Sequence, residues 1–247
     1  MSSGFAQHGI EHVSASSLNL WASEPAMWVM ERLLKMRSPV GPAAHVGVAV
    51  EAGVEYALLN PDKLHDALPV ALTKYDALCQ DADAKLKIAG MLEQALKQLA
   101  AYGKPDVPED GRQHRVEVTL EGVAVPCIGF TDFVFHGHGV IVDLKTSSTL
   151  PSAIKASHAR QGAVYAAAFG NYGMRFCYAT PKKSAVYELE NARDHLAALA
   201  NIARRLERFL ALSRDPHELA ALVCPNYDAF YWNEPQARAN GLRVFGF

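Results

Sequence analysis

Apolar residues recur at helical spacing along the first hundred residues of the chain. One such series predicts a helix over residues 43–59: Val46, Val50, Val54 and Leu58. A Pro-containing break at residues 60–62 ends this helix, and further helical patterning covers residues 63–102 up to a terminating Gly103. Nearer the N-terminus, Ser23 is expected to cap a helix that carries Pro25 in its first turn. The first part of the chain is therefore predicted to be mainly helical.

The pattern then changes from helical spacing to alternation of apolar and polar residues. Alternation and turn residues predict strands at 115–120, 123–128, 131–135 and 140–145, arranged as an antiparallel meander. Two more strands are expected at 174–179 and 185–190, and helices at 152–171 and 191–213, followed by an irregular aromatic tail after Pro225. This order predicts an α/β (α+β) fold with a mixed central sheet flanked by helices.

We expect a single domain over residues 1–247 with three parts. Residues 14–112 form its mainly helical part, residues 113–190 its sheet and central helix, and residues 191–247 a C-terminal helix and tail. The chain has 247 residues, of which 50% are hydrophobic, and this length can bury one substantial core.

Composition narrows the class of protein in three ways. The four cysteines are isolated, without a Cys-x-x-Cys pair, which disfavours zinc knuckles and redox motifs and is typical of a reducing compartment. No signal peptide and no apolar run of the ~20 residues needed to span a bilayer is visible, so a cytoplasmic protein without a membrane partner is expected. The net charge of −2 neither supports nor excludes a local basic groove for nucleic acid.

The candidate chemistry begins at Asp143-Leu144-Lys145, in the last predicted strand of the meander. Successive side chains of a strand point to opposite faces, so Asp143 and Lys145 share one face and Leu144 points to the other. A carboxylate beside an ammonium suits a site that binds a cation and activates water. Alone, the same pair could be a surface ion pair worth ~0–1 kcal/mol.

A second carboxylate favours the metal site. Pairing of Phe135 with Val140 across the glycine-rich turn would place Asp132 opposite Asp143. Directly opposed like charges are destabilising unless something compensates them. A divalent cation such as Mg²⁺ or Mn²⁺, which prefers carboxylate oxygen and water, would do so.

These residues resemble the core of the PD-(D/E)XK nuclease superfamily, especially its RecB-like branch. The resemblance spans roughly residues 14–190 and consists of short motifs in the family's order: Ser14-x-Ser16, Gly41-x-x-x-His45, Glu117, Gly129-x-x-Asp132, Asp143-x-Lys145-Thr146 and Gln161-x-x-x-Tyr165. Each motif is weak, and their order along one chain is what makes the combination specific.

The resemblance implies a role for each matching residue. Asp132, Asp143, the backbone carbonyl of Leu144 and His45 would bind the metal ion. Lys145 would orient or activate the attacking water. Gln161 and Tyr165, one helical turn apart, would face the site, and Glu117 is a further acidic candidate.

Each auxiliary residue keeps a structural alternative. His45 and the Gln161–Tyr165 pair could be ordinary packing residues, Glu117 a solvated strand residue, and Ser14 and Ser16 helix caps instead of phosphate contacts. Four basic residues are candidates for lining a groove that binds the phosphate backbone, although for any one of them alone a solvated face is the preferred interpretation: Lys155, Arg160, Lys182 and Lys183.

Many RecB-like exonucleases hold an iron–sulfur cluster on four cysteines. Here only Cys224 lies in a suggestive position, so no iron–sulfur cluster is expected. The leading hypothesis is a DNA exonuclease of the phage or recombination type that resects DNA ends, together with a recombinase or a single-strand annealing or binding protein. An endonuclease on the same core, and a non-catalytic nucleic-acid-binding or assembly module, are the alternatives.

Overall fold

The computed structural model describes residues 3–108 and 113–246. In these ranges the α-helices are α1 (Gly4–Gln7), α2 (Ala15–Ser23), α3 (Pro25–Trp28), α4 (Pro42–Leu59), α5 (Ala67–Asp76), α6 (Ala82–Lys85), α7 (Ile88–Leu99), α8 (Ala156–Phe169), α9 (Ala192–Leu210), α10 (Pro216–Ala220) and α11 (Pro235–Phe245). The strands are β1 (His114–Val118), β2 (Cys127–Thr131), β3 (Phe133–Phe135), β4 (Val140–Thr146), β5 (Gly173–Ala179) and β6 (Ser184–Glu188).

The chain forms two compact units. The first unit contains the described residues of Met1–Pro39, Glu117–Gly129 and Arg193–Phe247, and the second contains those of Val40–Val116 and Phe130–Ala192. The single nuclease domain stays a prediction. The boundary predicted between its helical part and its sheet follows residue 112, and residues 109–112 lie outside the described residues.

A four-stranded mixed sheet in the order β3-β4-β5-β6 forms the centre of the second unit. β3 and β4 are antiparallel, β4 and β5 are parallel, and β5 and β6 are antiparallel. The parallel step requires a crossover, and α8 supplies it between β4 and β5. The mixed sheet with flanking helices confirms the predicted fold class.

Strand alternation sorts the residues of this sheet between two helical layers. Val142 and Leu144 belong to the core that contains apolar residues of α4, α5 and α7. On the opposite face α8 approaches β5 closely at a glycine: a Cβ on Gly162 would lie 2.7 Å from Cζ of Phe176. Asp143 and Lys145 alternate with Val142 and Leu144 along β4. They therefore face the α8 layer, as the two-residue period of a strand predicts.

The predicted meander is wrong in its first half. β1 and β2 form a separate two-stranded sheet, and most of the strand predicted at 123–128 is a turn, so only β3 and β4 make the expected hairpin. The helix predicted over residues 63–102 is interrupted, because the chain turns at residues 77–81 and Asp81 caps α6 through its carboxylate.

Two predictions near the chain ends also require correction. Glu24 takes the N-cap position of α3, whereas Ser23 ends α2 and donates its hydroxyl hydrogen bond back to the Asn19 carbonyl. The tail after Pro225 is not irregular, since it contains α11. In the first unit this tail is anchored by Trp232 and Ala237, which pack with Met27 and Met30 in one apolar cluster. Over the described ranges, no helix combines the length and apolar character needed to cross a bilayer.

Candidate active site

Asp143 and Lys145 form a buried ion pair on β4. Asp143 is 1% exposed, and Lys145 Nζ lies 2.6 Å from its Oδ2 while keeping 22% of the lysine side chain exposed. Apart from this ion pair, neither Asp143 oxygen has a hydrogen-bond partner among the described residues. A buried carboxylate without further donors is costly, so the oxygens of Asp143 are poised to accept a ligand.

Asp132 lies beside this pair at a bend between β2 and β3. The predicted register is confirmed, since Phe135 pairs with Val140 and the ladder ends at Phe133 and Val142. Beyond that point the Leu144 N–H donates to Asp132 Oδ2 at 2.8 Å. At the bend, the Asp132 carboxylate takes the place of the backbone carbonyl that would accept the Leu144 N–H in a continued ladder. This hydrogen bond holds Asp132 next to Asp143.

A third carboxylate comes from α4, and the sequence analysis missed it. Gln113 Nε2 lies 2.6 Å from Glu51 Oε1 and 3.4 Å from Asp132 Oδ1, so its amide bridges the two acids. Glu51 and Glu55 are the acidic residues of α4. The sequence contained one indication of this carboxylate, a charged residue at position 51 within an apolar helix. Spacing alone does not show whether Glu51 or the exposed Glu55 points to the site.

Burial raises the pKa of all three carboxylates, and neighbouring negative charges add to this for Asp132 and Glu51. Burial raises the pKa of Asp132 well above its usual range, and the neighbouring Asp143 and Glu51 raise it further. Burial followed by the charge of Asp143 raises the pKa of Glu51. Burial also raises the pKa of Asp143, although Lys145 opposes this. When all are ionised, three carboxylates and one ammonium leave two surplus negative charges, which is the charge that a divalent cation neutralises.

Lys145 stays protonated in this environment. Burial lowers the pKa of its ammonium, but Asp143 and Asp132 raise it by more, and the net shift is upward. The side chain is therefore a fixed cation and hydrogen-bond donor, and it is not a base at neutral pH.

Two hydrogen-bonded pairs involve polar residues of α8 and β5. Gln161 Nε2 donates to the Tyr165 hydroxyl at 2.7 Å, so these two predicted residues do contact each other on one side of α8. Tyr178, the register partner of Lys145 on β5, hydrogen bonds through its hydroxyl to His158 Nδ1 at 2.7 Å. Burial, together with Lys145 and Lys155, lowers the pKa of His158 to about 4, so this histidine is neutral at physiological pH.

The remaining predicted residues of the second unit differ in exposure. His45 is half-buried on α4, six residues before Glu51, and within the described part of the chain it has no hydrogen bond or ion pair with the acidic group. Lys155, Lys182 and Lys183 are exposed, and Arg160 is half-buried. The metal role of His45, that of the Leu144 carbonyl and the phosphate contacts of the basic residues stay predictions.

Three predicted residues belong to the first unit. Ser14 caps α2, since its Oγ accepts from the Ser17 N–H at 3.2 Å, and the Ser16 Oγ lies 3.1 Å from that of Ser14. Glu117 is an exposed residue of β1. The capping alternative for Ser14 is therefore real, and it leaves the serine hydroxyl proton available to another acceptor.

The model of one protein family matches residues 12–229, nearly the whole chain, and it describes the PD-(D/E)XK nuclease superfamily. The chain belongs to this superfamily. PD-(D/E)XK nucleases generally use divalent metals such as Mg²⁺ or Mn²⁺, which makes this chain a metal-dependent nuclease by family. The assignment of Asp132, Asp143 and Lys145 to the acidic and basic residues after which the superfamily is named stays a prediction. Its RecB-like branch stays a prediction.

Two further comparisons add little to the PD-(D/E)XK assignment. No curated protein matches the chain. Among solved structures, one described as "Crystal structure of SSO0001" shares 15% sequence identity, with 78% of this chain and 83% of that chain covered and a TM-score of 0.37.

The donor set fits the metal that PD-(D/E)XK nucleases use. Hard divalent cations take carboxylate oxygens, and the unpartnered oxygens of Asp143 are the strongest indication of a ligand here. Asp143, Asp132 and Glu51 would hold the cation. In the described ranges no three His, Cys, Asp or Glu side chains are already arranged as a metal-ligand set, and the Gln113 amide bridges two of the carboxylates instead.

Replacement of Glu51 by glutamine is expected to stabilise the metal-free protein at neutral pH. The pKa of Glu51 is raised on folding, so its contribution to stability is present below the ordinary glutamate pKa and is lost as the pH rises through the raised pKa. Glu51→Gln removes that loss and keeps the contact with Gln113. Thermal melts in EDTA should show a rise in Tm of about 2–4 °C at pH 7.5 that disappears towards pH 4.

The matched control is Glu190→Gln, an exposed glutamate of the same unit, which should leave Tm unchanged at both pH values. A Glu51→Gln variant that melts at the wild-type temperature at pH 7.5 would contradict the electrostatic account of the carboxylate cluster.

Proposed function

We propose that this PD-(D/E)XK protein hydrolyses phosphodiester bonds of DNA, with Mg²⁺ or Mn²⁺ as cofactor, and that it acts on DNA ends as a phage- or recombination-type exonuclease. The observation that carries the proposal is the buried Asp143–Lys145 pair beside Asp132. Burial of such a cluster lowers the stability of the fold, and a hairpin without a function at this position would not need it. The preference for ends rests on the resemblance to RecB-like members.

The side chains divide the work in the proposed reaction. A bound divalent cation would acidify a coordinated water and neutralise charge on the phosphate. Lys145, held by Asp143 and permanently protonated, would orient the attacking water and stabilise the charge that develops on the phosphate oxygens. Tyr178 is the neighbour of Lys145 on β5, and its hydroxyl is held by the neutral His158 of α8, so the hydrogen-bonded pair adds no charge that would compete with the Lys145 ammonium.

Cleavage assays test the proposal directly. Purified protein should degrade linear duplex DNA in Mg²⁺ or Mn²⁺, leave covalently closed circles intact, and lose all activity in EDTA. The Lys145→Ala variant, purified in parallel, controls for contaminating nucleases, and Lys74→Ala, an exposed lysine of the same unit, controls for loss of a positive charge.

Each outcome of this assay decides between the candidates. Nicking of closed circles would identify an endonuclease on the same core. Absence of cleavage of every DNA form in every metal, by protein that is folded, would overturn the enzymatic proposal and favour a nucleic-acid-binding or assembly module. Stimulation of resection by an added recombinase or single-strand annealing protein would identify the partner.

A further inference from the structure

The first unit contains a basic cavity whose residues take no part in the chemistry above. Its volume is about 230 Å³, and its polar lining comes from one stretch of chain: His12, Ser14, Ser17, Arg32, Lys35 and Arg37. Three cationic side chains line the cavity with one carboxylate, that of Glu11, and a second carboxylate, that of Glu31, interacts with Arg32 and Arg37 from outside the lining, so the cations remain in excess. We refer to this cavity as the basic pocket. Its charge favours an anion.

Arg32 supplies the second indication of a ligand. Its Nε–H is buried and has no hydrogen-bond partner in the described part of the chain. An unsatisfied buried donor on a charged group is costly, and native proteins rarely keep one without a use for it. The planar guanidinium presents its N–H groups in a fork that matches two oxygens of a phosphate. A phosphate in the basic pocket would balance the charge of these cations.

The backbone around these cations departs from regular α-helix at two neighbouring places. Arg32 lies in a π-helical turn, Val29–Leu33, and Lys35 adopts a left-handed conformation with φ of 58°. Single π turns are uncommon and recur at functional sites, whereas a left-handed residue just after a helix is a common helix end. Here they occur within four residues of each other and bring Arg32 and Lys35 to the same pocket.

Hydroxyl groups on the opposite wall add donors. The Ser17 Oγ accepts from Trp28 Nε1 at 2.9 Å, which leaves the hydroxyl proton of Ser17 free to be donated. Ser14 caps the N-terminus of α2 through the lone pairs of its Oγ, so its proton too is available to the Ser16 hydroxyl or to a ligand. Guanidinium, ammonium and hydroxyl donors around one small cavity are the usual surroundings of a bound phosphate.

We propose that the basic pocket binds a phosphate group of the nucleic-acid strand, with Arg32 as its principal ligand and Lys35 and Arg37 as supporting cations. The assignment of the phosphate to nucleic acid rests on the proposed nuclease function, whereas phosphate binding itself does not. The two parts can fail separately, and the experiments are arranged accordingly.

The first experiment uses inorganic phosphate and requires no cleavage. Phosphate in millimolar amounts should raise the Tm of the wild-type protein, with chloride at equal ionic strength as reference, and should raise it less in Arg32→Gln. Arg214→Gln, an exposed arginine of the same unit outside the pocket, is the matched control and should respond like wild type. If Arg32→Gln does not fold, Arg37→Gln, whose side chain is exposed, replaces it. Equal responses of the pocket variants and the control would overturn phosphate binding.

The second experiment identifies the source of the phosphate. Binding of fluorescent DNA strands that end in 5′-phosphate, 3′-phosphate or hydroxyl groups is measured in EDTA at several salt concentrations. Arg32→Gln should weaken binding about tenfold and reduce the slope of log Kd against log salt by about 1, whereas Arg214→Gln should change neither. Loss confined to one phosphorylated end would identify a terminal phosphate, and equal loss for all strands a backbone phosphate.

Two results would overturn the assignment to nucleic acid. One is a phosphate response in the melts without any effect of Arg32→Gln on strand binding, which would mean that the pocket takes free phosphate or a small phosphorylated molecule. The other is an equal loss of strand binding in Arg32→Gln and Arg214→Gln, which would mean a diffuse charge effect. Because binding is measured in EDTA, neither result depends on whether the protein cleaves DNA.

Discussion

Asp143→Asn should lower the rate of DNA cleavage by about 10³-fold and abolish its stimulation by Mn²⁺. The buried carboxylate has two oxygens that make no hydrogen bond beyond the ion pair with Lys145, and asparagine offers one neutral oxygen and an NH₂ group in their place. The amide group is nearly the same size, so the change acts on charge and on metal affinity.

The measurement is kcat/KM on linear DNA across a titration of Mn²⁺, together with metal binding by calorimetry. Asp62→Asn, an exposed aspartate of the same unit, should keep both properties. Recovery of wild-type activity in Asp143→Asn at high Mn²⁺ would show only weakened metal binding. Full activity at low Mn²⁺ would remove Asp143 from the site.

Lys145→Ala should lower kcat by about 10²–10³-fold while leaving metal binding largely in place. The ammonium is a protonated donor held at 2.6 Å from Asp143, so its loss removes stabilisation of the developing charge and leaves the carboxylate ligands. Asp143→Asn, in contrast, should lose both activity and metal binding. The difference between the two variants is the sharpest test of the roles of Lys145 and Asp143 at the site.

The same variant has a predictable effect on stability. Removal of one partner from a buried ion pair leaves an uncompensated charge, at a typical cost of about 3–5 kcal/mol. Lys145 keeps some exposure, so the loss should fall at or below the lower end of that range. Lys145→Ala should melt below wild type in EDTA and recover more than wild type on addition of Mn²⁺, with Lys74→Ala as control. An unchanged melting temperature in EDTA would contradict the burial of this pair.

The best-determined part of the site follows from local rules. Two-residue periodicity places Asp143 and Lys145 on one face of β4, and the glycine-rich turn gives the register of Phe135 with Val140. Both depend only on residues within about ten positions, which is why they could be predicted.

The wrong predictions concern segments whose local sequence pattern is compatible with more than one secondary structure. Residues 123–128 alternate like a strand but form mostly a turn, and the aromatic tail, which has no clear helical period, contains α11 because Trp232 and Ala237 find an apolar cluster to pack against. Tertiary packing overrides weak local preference in both cases.

By itself, the sequence determined the pairing of Asp132, Asp143 and Lys145 and, through the order of its motifs, the superfamily. Only the tertiary structure decided that Glu51 joins them, that Gln113 bridges it to Asp132, and that His158 and Tyr178 flank the lysine. Glu51 and Gln113 are 62 residues apart, and their contact depends on the rotation of α4 against the sheet. That rotation is set by how the apolar face of the whole helix packs, and no short stretch of sequence contains it.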